Sequence, residues 1–299
     1  MKIYIAGGGG MLGKAVYNHF APNHQVRVTD ICGIASMSSE IMWDHADVRD
    51  YHQQHWQLTG FYPNVIMNLA AETDLEYCEG HGTEALSTNA GGAAVMAALS
   101  QKFGAKYVYI STAGIYDGSK DRFTEEDVPN PLSIYGKGKY YGELIALNTP
   151  GSLVVRPGWM MGGGPKSDKK FINKVYKQLV GGAKEICAVP DKEGTPTYTN
   201  DLAKQIDALL QGNRSGLYNT TCLGSTNRYE VALEFIKLMG LEDRIAVTAV
   251  GSSYFQTEYP APRPASEVLV TRKLEDSGLC VMRDWRVALA EYVQEFPRL

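Results

Sequence analysis

The stretch KIYIAGGGGMLGKAV, residues 2–16, passes from a short β-rich run through four consecutive glycines into a segment of helical character. Gly7, Gly10 and Gly13 stand there in a GxxGxxG spacing, directly after the strand and at the start of the helix. Glycines in that place permit a tight turn, admit a pyrophosphate close to the backbone and let the helix lie on the sheet. The helix N-terminus adds amide donors and positive potential. Asp30 ends the next β-rich run, HQVRVTD (24–30), 23 residues after Gly7, where a carboxylate accepts from adenosine ribose hydroxyls. The spacing therefore predicts a dinucleotide site, the alternative being a glycine-rich turn without a ligand. A carboxylate at position 30 repels a 2′-phosphate, and no arginine or lysine follows it within several residues. NAD(H) is the preferred cofactor on that ground and NADP(H) the second choice, with Lys14 and Arg27 the nearest positive charges in sequence.

Working outward, PNVIMNLA (63–70), AKYVYIS (105–111) and SLVVRP (152–157) also read as strands, separated by helical stretches. Such alternation predicts an α/β fold with a Rossmann-type, doubly wound parallel sheet. Beyond about residue 150 the pattern loosens into a smaller mixed α/β region. FINKVYKQLVGG and RYEVALEFIKLMG read as helices stopped by glycine, and EYPAPRPASE (258–267), with three prolines, as an extended loop. The expected division is a dinucleotide-binding domain over 1–155 with a returning segment near 195–222, and a substrate domain over 156–194 and 223–299.

Composition narrows the function classes. The chain has 299 residues, 44% hydrophobic and 21% charged, which fits a folded globular protein and excludes a disordered or collagen-like one. A net charge of -4 offers no bulk attraction to nucleic acid or to an anionic membrane, and no apolar run reaches membrane-spanning length. The five cysteines, Cys32, Cys78, Cys187, Cys222 and Cys280, are scattered and form no CxxC pair, which suits a reducing cytoplasm. His45, His52, His55 and His81 cluster in sequence, but their spacing matches no ligand pattern and no metal is expected.

A second constellation lies in YGKGKYYGE, where Tyr135 and Lys139 stand at i and i+4 and so share a helix face. A phenol beside an ammonium and a cationic nicotinamide is expected to titrate nearer the working range for proton transfer, while the lysine holds the nicotinamide ribose. Thr112, 23 residues earlier at the end of a strand, is placed to bond a substrate oxygen beside the tyrosine. Ser111 is the alternative hydroxyl, on the opposite side of that strand.

These residues carry a resemblance to the extended short-chain dehydrogenase/reductase superfamily and, within it, to the dTDP-4-dehydrorhamnose reductase subfamily, over nearly the whole chain. Its GxxGxLG loop resembles GGGGMLG, its acidic turn DVRD (47–50), and its Asn-Ala-Ala strand end NLAAETDLEYCE. STAGIYDG and PLSIYGKGKYYGE resemble its catalytic segments, and RPGWMMGGG, EGTPTYTNDLA, APRPASEVLVTRKL and DWRVAL its second half. The resemblance implies an NAD(P)H-dependent oxidoreductase reducing the C4 ketone of a nucleotide-linked 4-keto-6-deoxy sugar, in deoxysugar or polysaccharide biosynthesis. It implies catalytic roles for Thr112, Tyr135 and Lys139. Cofactor contacts are implied at Gly7, Gly10, Met11, Leu12, Gly13, Asp30, Asp47, Val48, Ala70, Ala71, Thr73, Tyr135 and Lys139. Substrate contacts are implied at Thr112, Ala113, Tyr135, Trp159 and Arg263, with Trp159 as an aromatic wall and Arg263 for the diphosphate. The sequence departs from the pattern at Ala113-Gly114, in place of Asp-Tyr, and at Glu72, in place of Tyr. Two other readings share the motifs: a nucleotide-sugar epimerase or dehydratase that recycles a tightly held NAD, and a noncatalytic regulatory subunit like the methionine adenosyltransferase beta subunit. A homodimer is an open alternative for the assembly.

Overall fold

Tyr4, Ile5, Ile66, Met67, Val108 and Val154 are wholly buried, as expected for strands covered by helices on both faces, which read as continuous apolar runs. The structure, a computed structural model, describes residues 1–32 and 44–299. Strands β1 (Lys2–Ala6), β2 (Gln25–Asp30), β3 (Asp44–His45), β4 (Val65–Asn68), β5 (Lys106–Ile110) and β6 (Leu153–Arg156) join the strand Gly216–Asn219 in one seven-stranded sheet. Its order runs from Gly216–Asn219 through β6, β5, β4, β1 and β2 to β3, and every pairing is parallel. Ile5 lies between Val28 and Met67. The order reverses between β1 and β4, and that is where a doubly wound sheet opens a crevice at its carboxyl edge.

The five strands read from the sequence all form. The two added edges escaped notice because one has two residues and the other, GLYN, opens with a glycine at φ 82°. In the second half Trp159–Met161 pairs with Pro196–Tyr198, and Glu185–Ala188 with Ala246–Ala249. Glu193–Gly194 lies between Thr226–Asn227 and Ser266–Glu267. The proline-rich segment is thus an extended loop only as far as Ala265. Ser266–Glu267 then becomes a strand, because beyond Pro264 the backbone amides are free to pair and the Ala265 carbonyl already accepts from Glu193 at 2.9 Å.

The helices Phe171–Val180 and Arg228–Leu238 form where expected, the second capped by the Asn227 side chain, which accepts from the Glu230 amide at 2.9 Å. One buried apolar cluster runs from Ile3 and Val16 through Leu202 and Ile206 to Trp285 and Tyr292. A second fills the other face of the sheet around Tyr4, Ile66, Met96 and Tyr109.

Candidate active site

The glycine turn is built around contacts that no side chain could allow. Gly7 has φ +82°, and a Cβ there would sit 2.4 Å from the Ala70 amide nitrogen, so the loop lies directly on the end of β4. The amides of Gly7 and Gly8 both donate to the Thr29 carbonyl, at 2.8 and 3.2 Å. Helix α1 (Met11–Phe20) starts at Gly10, which offers no capping side chain, so the first-turn amides of Met11, Leu12 and Gly13 face the loop without one. Asp30 stands at the end of β2 with Oδ2 accepting from the Gly9 amide at 2.8 Å and Oδ1 from the Cys32 amide at 2.9 Å. A glycine floor, uncapped helix amides and an adjacent carboxylate fit a dinucleotide pyrophosphate and ribose.

The other residues expected at the cofactor divide. Ala70 borders the glycine loop at the β4 end, with Ala71 next to it in the chain, and the Ala70 amide donates to Asn68 Oδ1 at 3.2 Å. Leu12 is buried in the core and Met11 lies beside Gly163. Val48 is buried against Gly92. Asp47 is gripped by Arg49 at 2.6 Å, which holds its carboxyl below the usual range, so this carboxylate is already spent on an ion pair. Thr73 receives Lys170 Nζ on its hydroxyl at 3.2 Å and its carbonyl at 3.3 Å. Arg27 points away from the cradle, donating to the Gln57 carbonyl at 2.8 Å and stacking 4.9 Å over Phe61. Its proximity to Asp30 in sequence therefore adds no positive charge to the ribose position. The GIASMSSEIMW stretch, residues 33–43, lies outside the described residues.

The helix Ile134–Leu147 carries Tyr135 and Lys139, and it begins at Ser133, whose Oγ accepts from the Gly136 amide at 3.0 Å. Its glycines weaken it as a helix, yet they decide how near it comes. A Cβ on Gly136 would meet the Gly114 carbonyl at 2.4 Å, and one on Gly142 would meet Tyr109 Oη at 2.2 Å. This approach sets the Tyr135 phenol against the Thr112 hydroxyl at the carboxyl edge of β5. Thr112 Oγ1 also accepts from the Gly114 amide at 3.1 Å, which fixes its rotamer. Ser111 is buried, and its hydroxyl has no partner among the described residues.

Burial pushes the Tyr135 phenol up to about 12, against a lowering by the Thr112 hydrogen bond. Burial also pushes Lys139 down to about 7, against the opposing charge of Glu143. Lys139 is 3% exposed, and its ammonium sits 4.4 Å from the centre of the Tyr109 ring. The expectation that the neighbouring ammonium draws the tyrosine toward neutrality is thus corrected in the protein by itself: burial is the largest influence on the phenol, and what opposes it is the Thr112 hydroxyl rather than the Lys139 charge. The phenol keeps its proton through the neutral range, the state a proton donor requires.

Two scaffolding contacts were not legible in the sequence. Asn89, 1% exposed and inside the π-helical turn Ser87–Gly91, exchanges hydrogen bonds with the Glu72 backbone at 2.8 and 3.0 Å. Its carbonyl accepts from Tyr109 Oη at 3.3 Å, and the same hydroxyl reaches the Lys139 carbonyl at 3.3 Å. Glu143, one turn after Lys139, pairs with Arg156 at 2.5 and 2.8 Å, both side chains being almost wholly buried. Glu72 turns back onto its own chain and accepts from the amides of Thr73 and Asp74 at 2.8 and 3.0 Å.

On the expected substrate side, Ala113 is buried in an apolar cluster with Ile115, Tyr116 and Phe123. The Trp159 ring lies against Gly194 and under the Arg228 guanidinium, 3.9 Å from its centre, while its Nε1 donates to Glu267 Oε2 at 2.7 Å. Arg263 is engaged by Glu76 at 2.8 Å and by the carbonyls of Tyr259 and Ala261 at 3.2 and 2.9 Å. Arg228, Arg263 and Lys192 all act electrostatically on Glu267, so with Glu76 on Arg263 three cations are set against two carboxylates. Burial holds Arg228 down to about 10. Sequence reasoning missed Arg228 and Glu267, since nothing local marks either one. By contrast, an open cavity of about 480 Å³ is lined by Asp121, Asp191 and Glu193 against Arg122 alone, a balance that disfavours an anionic ligand.

The comparisons with known proteins agree with this geometry. Residues 1–298 match the family described as the RmlD substrate binding domain. The spore coat polysaccharide biosynthesis protein SpsK of Bacillus subtilis is 32% identical over 98% of this chain and 97% of its own length. The crystal structure of a dTDP-4-dehydrorhamnose reductase from Clostridium acetobutylicum superposes with a TM-score of 0.87 at 31% identity, covering 98% of this chain and 99% of that one. A dTDP-4-dehydrorhamnose reductase from Bacillus anthracis, solved in complex with NADP, gives 0.87 at 26% identity, covering 99% of each chain. With the glycine cradle, the tyrosine and lysine helix and the whole length accounted for, the chain belongs to the RmlD substrate binding domain family, within the extended short-chain dehydrogenases/reductases.

Proposed function

We propose that this protein is an NAD(P)H-dependent reductase that converts the C4 ketone of a nucleotide-linked 4-keto-6-deoxy sugar to an alcohol. The observation that carries the reading is the protonated Tyr135 phenol, held against Thr112 one helical turn from buried Lys139, at the sheet edge that also bears the glycine cradle. When bound, the dinucleotide supplies the hydride. Tyr135 donates its proton to the oxygen of the reacting carbonyl, and Thr112 holds that oxygen from its other side. Lys139 has no hydrogen-bond acceptor among the described residues and offers its donors to the nicotinamide ribose. Arg228 and Arg263, with Lys192 nearby, supply the excess positive charge for the substrate diphosphate beside Trp159.

In this reading residues 1–155 and the returning segment 195–222 serve the cofactor, and 156–194 with 223–299 serve the sugar nucleotide. The cysteines are scattered along the chain with no CxxC pair, which suits the cytoplasm as the working compartment. A purely regulatory subunit does not need an intact hydroxyl, phenol and ammonium together, which favours the enzyme reading. The test follows NADH and NADPH oxidation against dTDP-, GDP-, UDP- and CDP-linked 4-keto-6-deoxy sugars. Stoichiometric oxidation with a dTDP-linked ketone, faster with NADH, is the expected result. Turnover without net oxidation, on cofactor retained through purification, would favour the epimerase or dehydratase reading instead.

A further inference from the structure

Glu267 is the least explained group near the reacting position. It comes from the short strand Ser266–Glu267, far along the chain from Tyr135, and it reaches the site because that strand pairs with Glu193–Gly194. Its Oε2 is pinned by Trp159 Nε1 at 2.7 Å, which fixes the plane of the carboxylate. The other oxygen, Oε1, accepts from no side chain or backbone donor among the described residues. It points at Gly114, where a Cβ would stand 3.3 Å from Oε1 and 3.7 Å from Tyr135 Cε1. The glycine therefore leaves open the space between the carboxylate and the catalytic phenol. Glu267 also lies near enough to Tyr135 for its charge to help hold the phenol up. Burial pushes the Glu267 carboxyl up from its ordinary range, against the lowering by the Trp159 hydrogen bond and by the charges of Arg228, Arg263 and Lys192.

An anchored acceptor with one open lone-pair edge, beside the proton donor, matches a particular feature of a keto sugar. The carbon next to the ketone carries a hydroxyl, and that hydroxyl lies within a few ångströms of the carbonyl oxygen that Tyr135 protonates. We propose that Glu267 is a specificity-determining residue that accepts a hydrogen bond from the sugar hydroxyl adjacent to the reacting carbonyl. The assignment rests on the proposed ketone reduction and names which part of the substrate this wall reads. A site built to take a hydroxyl rejects the analogue lacking it, because the buried acceptor is then left unpaired.

The test compares kcat/KM for a dTDP-linked 4-keto-6-deoxyhexose with that for its analogue deoxygenated at the carbon next to the ketone, together with the dissociation constants of both by calorimetry. The native protein should prefer the hydroxylated form by about tenfold to a hundredfold. In Glu267→Ala the preference should fall to within about threefold of unity. Glu267→Gln, which keeps the volume and can still accept from Trp159, should retain an intermediate preference and serves alone where the alanine variant does not fold. An unchanged preference in the glutamine variant, or in a folded alanine variant, would overturn the assignment. If the native protein reduces neither ketone yet binds the hydroxylated form more tightly in a Glu267-dependent way, the reaction is wrong and the recognition stands. Equal binding of both forms by the native protein would sink the recognition itself.

Discussion

At the scale of single residues, the site works by opposed shifts of two groups one helical turn apart. Deleting only the Tyr135 hydroxyl leaves a ring that can still pack, so Tyr135→Phe should bind the dinucleotide normally and lose turnover by about a hundredfold to ten-thousandfold. Steady-state kinetics with a parallel fluorescence titration of NADH check both halves, and near-normal turnover would mean that another group supplies the proton. Lys139 affects stability with a definite sign. Its folded-state titration, near 7, lies below the ordinary lysine value, so between about pH 7 and pH 10 the unfolded chain binds the extra proton. The cost of the buried ammonium is complete below that window and is relieved as pH rises through it. The protein without cofactor should therefore resist urea better at pH 9 than at pH 6.5, and Lys139→Met should flatten that slope. A wild-type slope that persists in the variant would place its source elsewhere.

At the scale of elements, the helix Ile134–Leu147 is the one whose position matters most. Its glycines let it approach Gly114 and Tyr109, and the Glu143 to Arg156 pair locks it to β6. Arg156 also donates to Tyr116 Oη at 2.6 Å, which extends the lock to the segment after Thr112. Removing one member of such a pair strands a buried charge, which costs about 3–5 kcal/mol. Glu143→Ala should lower the midpoint of urea unfolding accordingly. It should also slow turnover more than it weakens dinucleotide binding, since it loosens Tyr135 against Thr112 and leaves the glycine loop alone. Equal losses in both would show that the helix is not held independently of the cradle. The YxxxK spacing was legible in the sequence because i and i+4 residues share a face whatever surrounds them. The close approach of the helix was not, because it depends on what the glycines meet.

At the scale of the whole molecule, the cleft joins parts of the chain that are distant in sequence. Arg263 meets Glu76 across 187 positions, and Trp159 meets Glu267 across 108. Because the cradle lies on β1, β2 and β4 while the cations come from later segments, the two ligands should be separable by mutation. Arg263→Ala should raise the dissociation constant for the sugar nucleotide by about tenfold to a hundredfold, and Arg228→Met should act in the same direction. Dinucleotide affinity should hold within about twofold in each. Calorimetry with each ligand alone distinguishes this from a structural role for the Glu76 bridge, under which both affinities would fall together.

What the sequence determined by itself was local or periodic: the glycine turn after β1, Asp30 at the end of β2, the five apolar strands and the shared face of Tyr135 and Lys139. Each rests on neighbours within a turn or a strand, where backbone geometry alone dictates which side chains lie together. Tertiary structure decided what those residues experience. Burial raised the phenol and lowered the ammonium, Arg49 took the Asp47 carboxylate, and Glu76 took Arg263. It also brought Glu267 to Gly114 and Arg228 to Trp159. Desolvation and ion pairing depend on distances through space, and a spacing pattern along the chain carries no record of them.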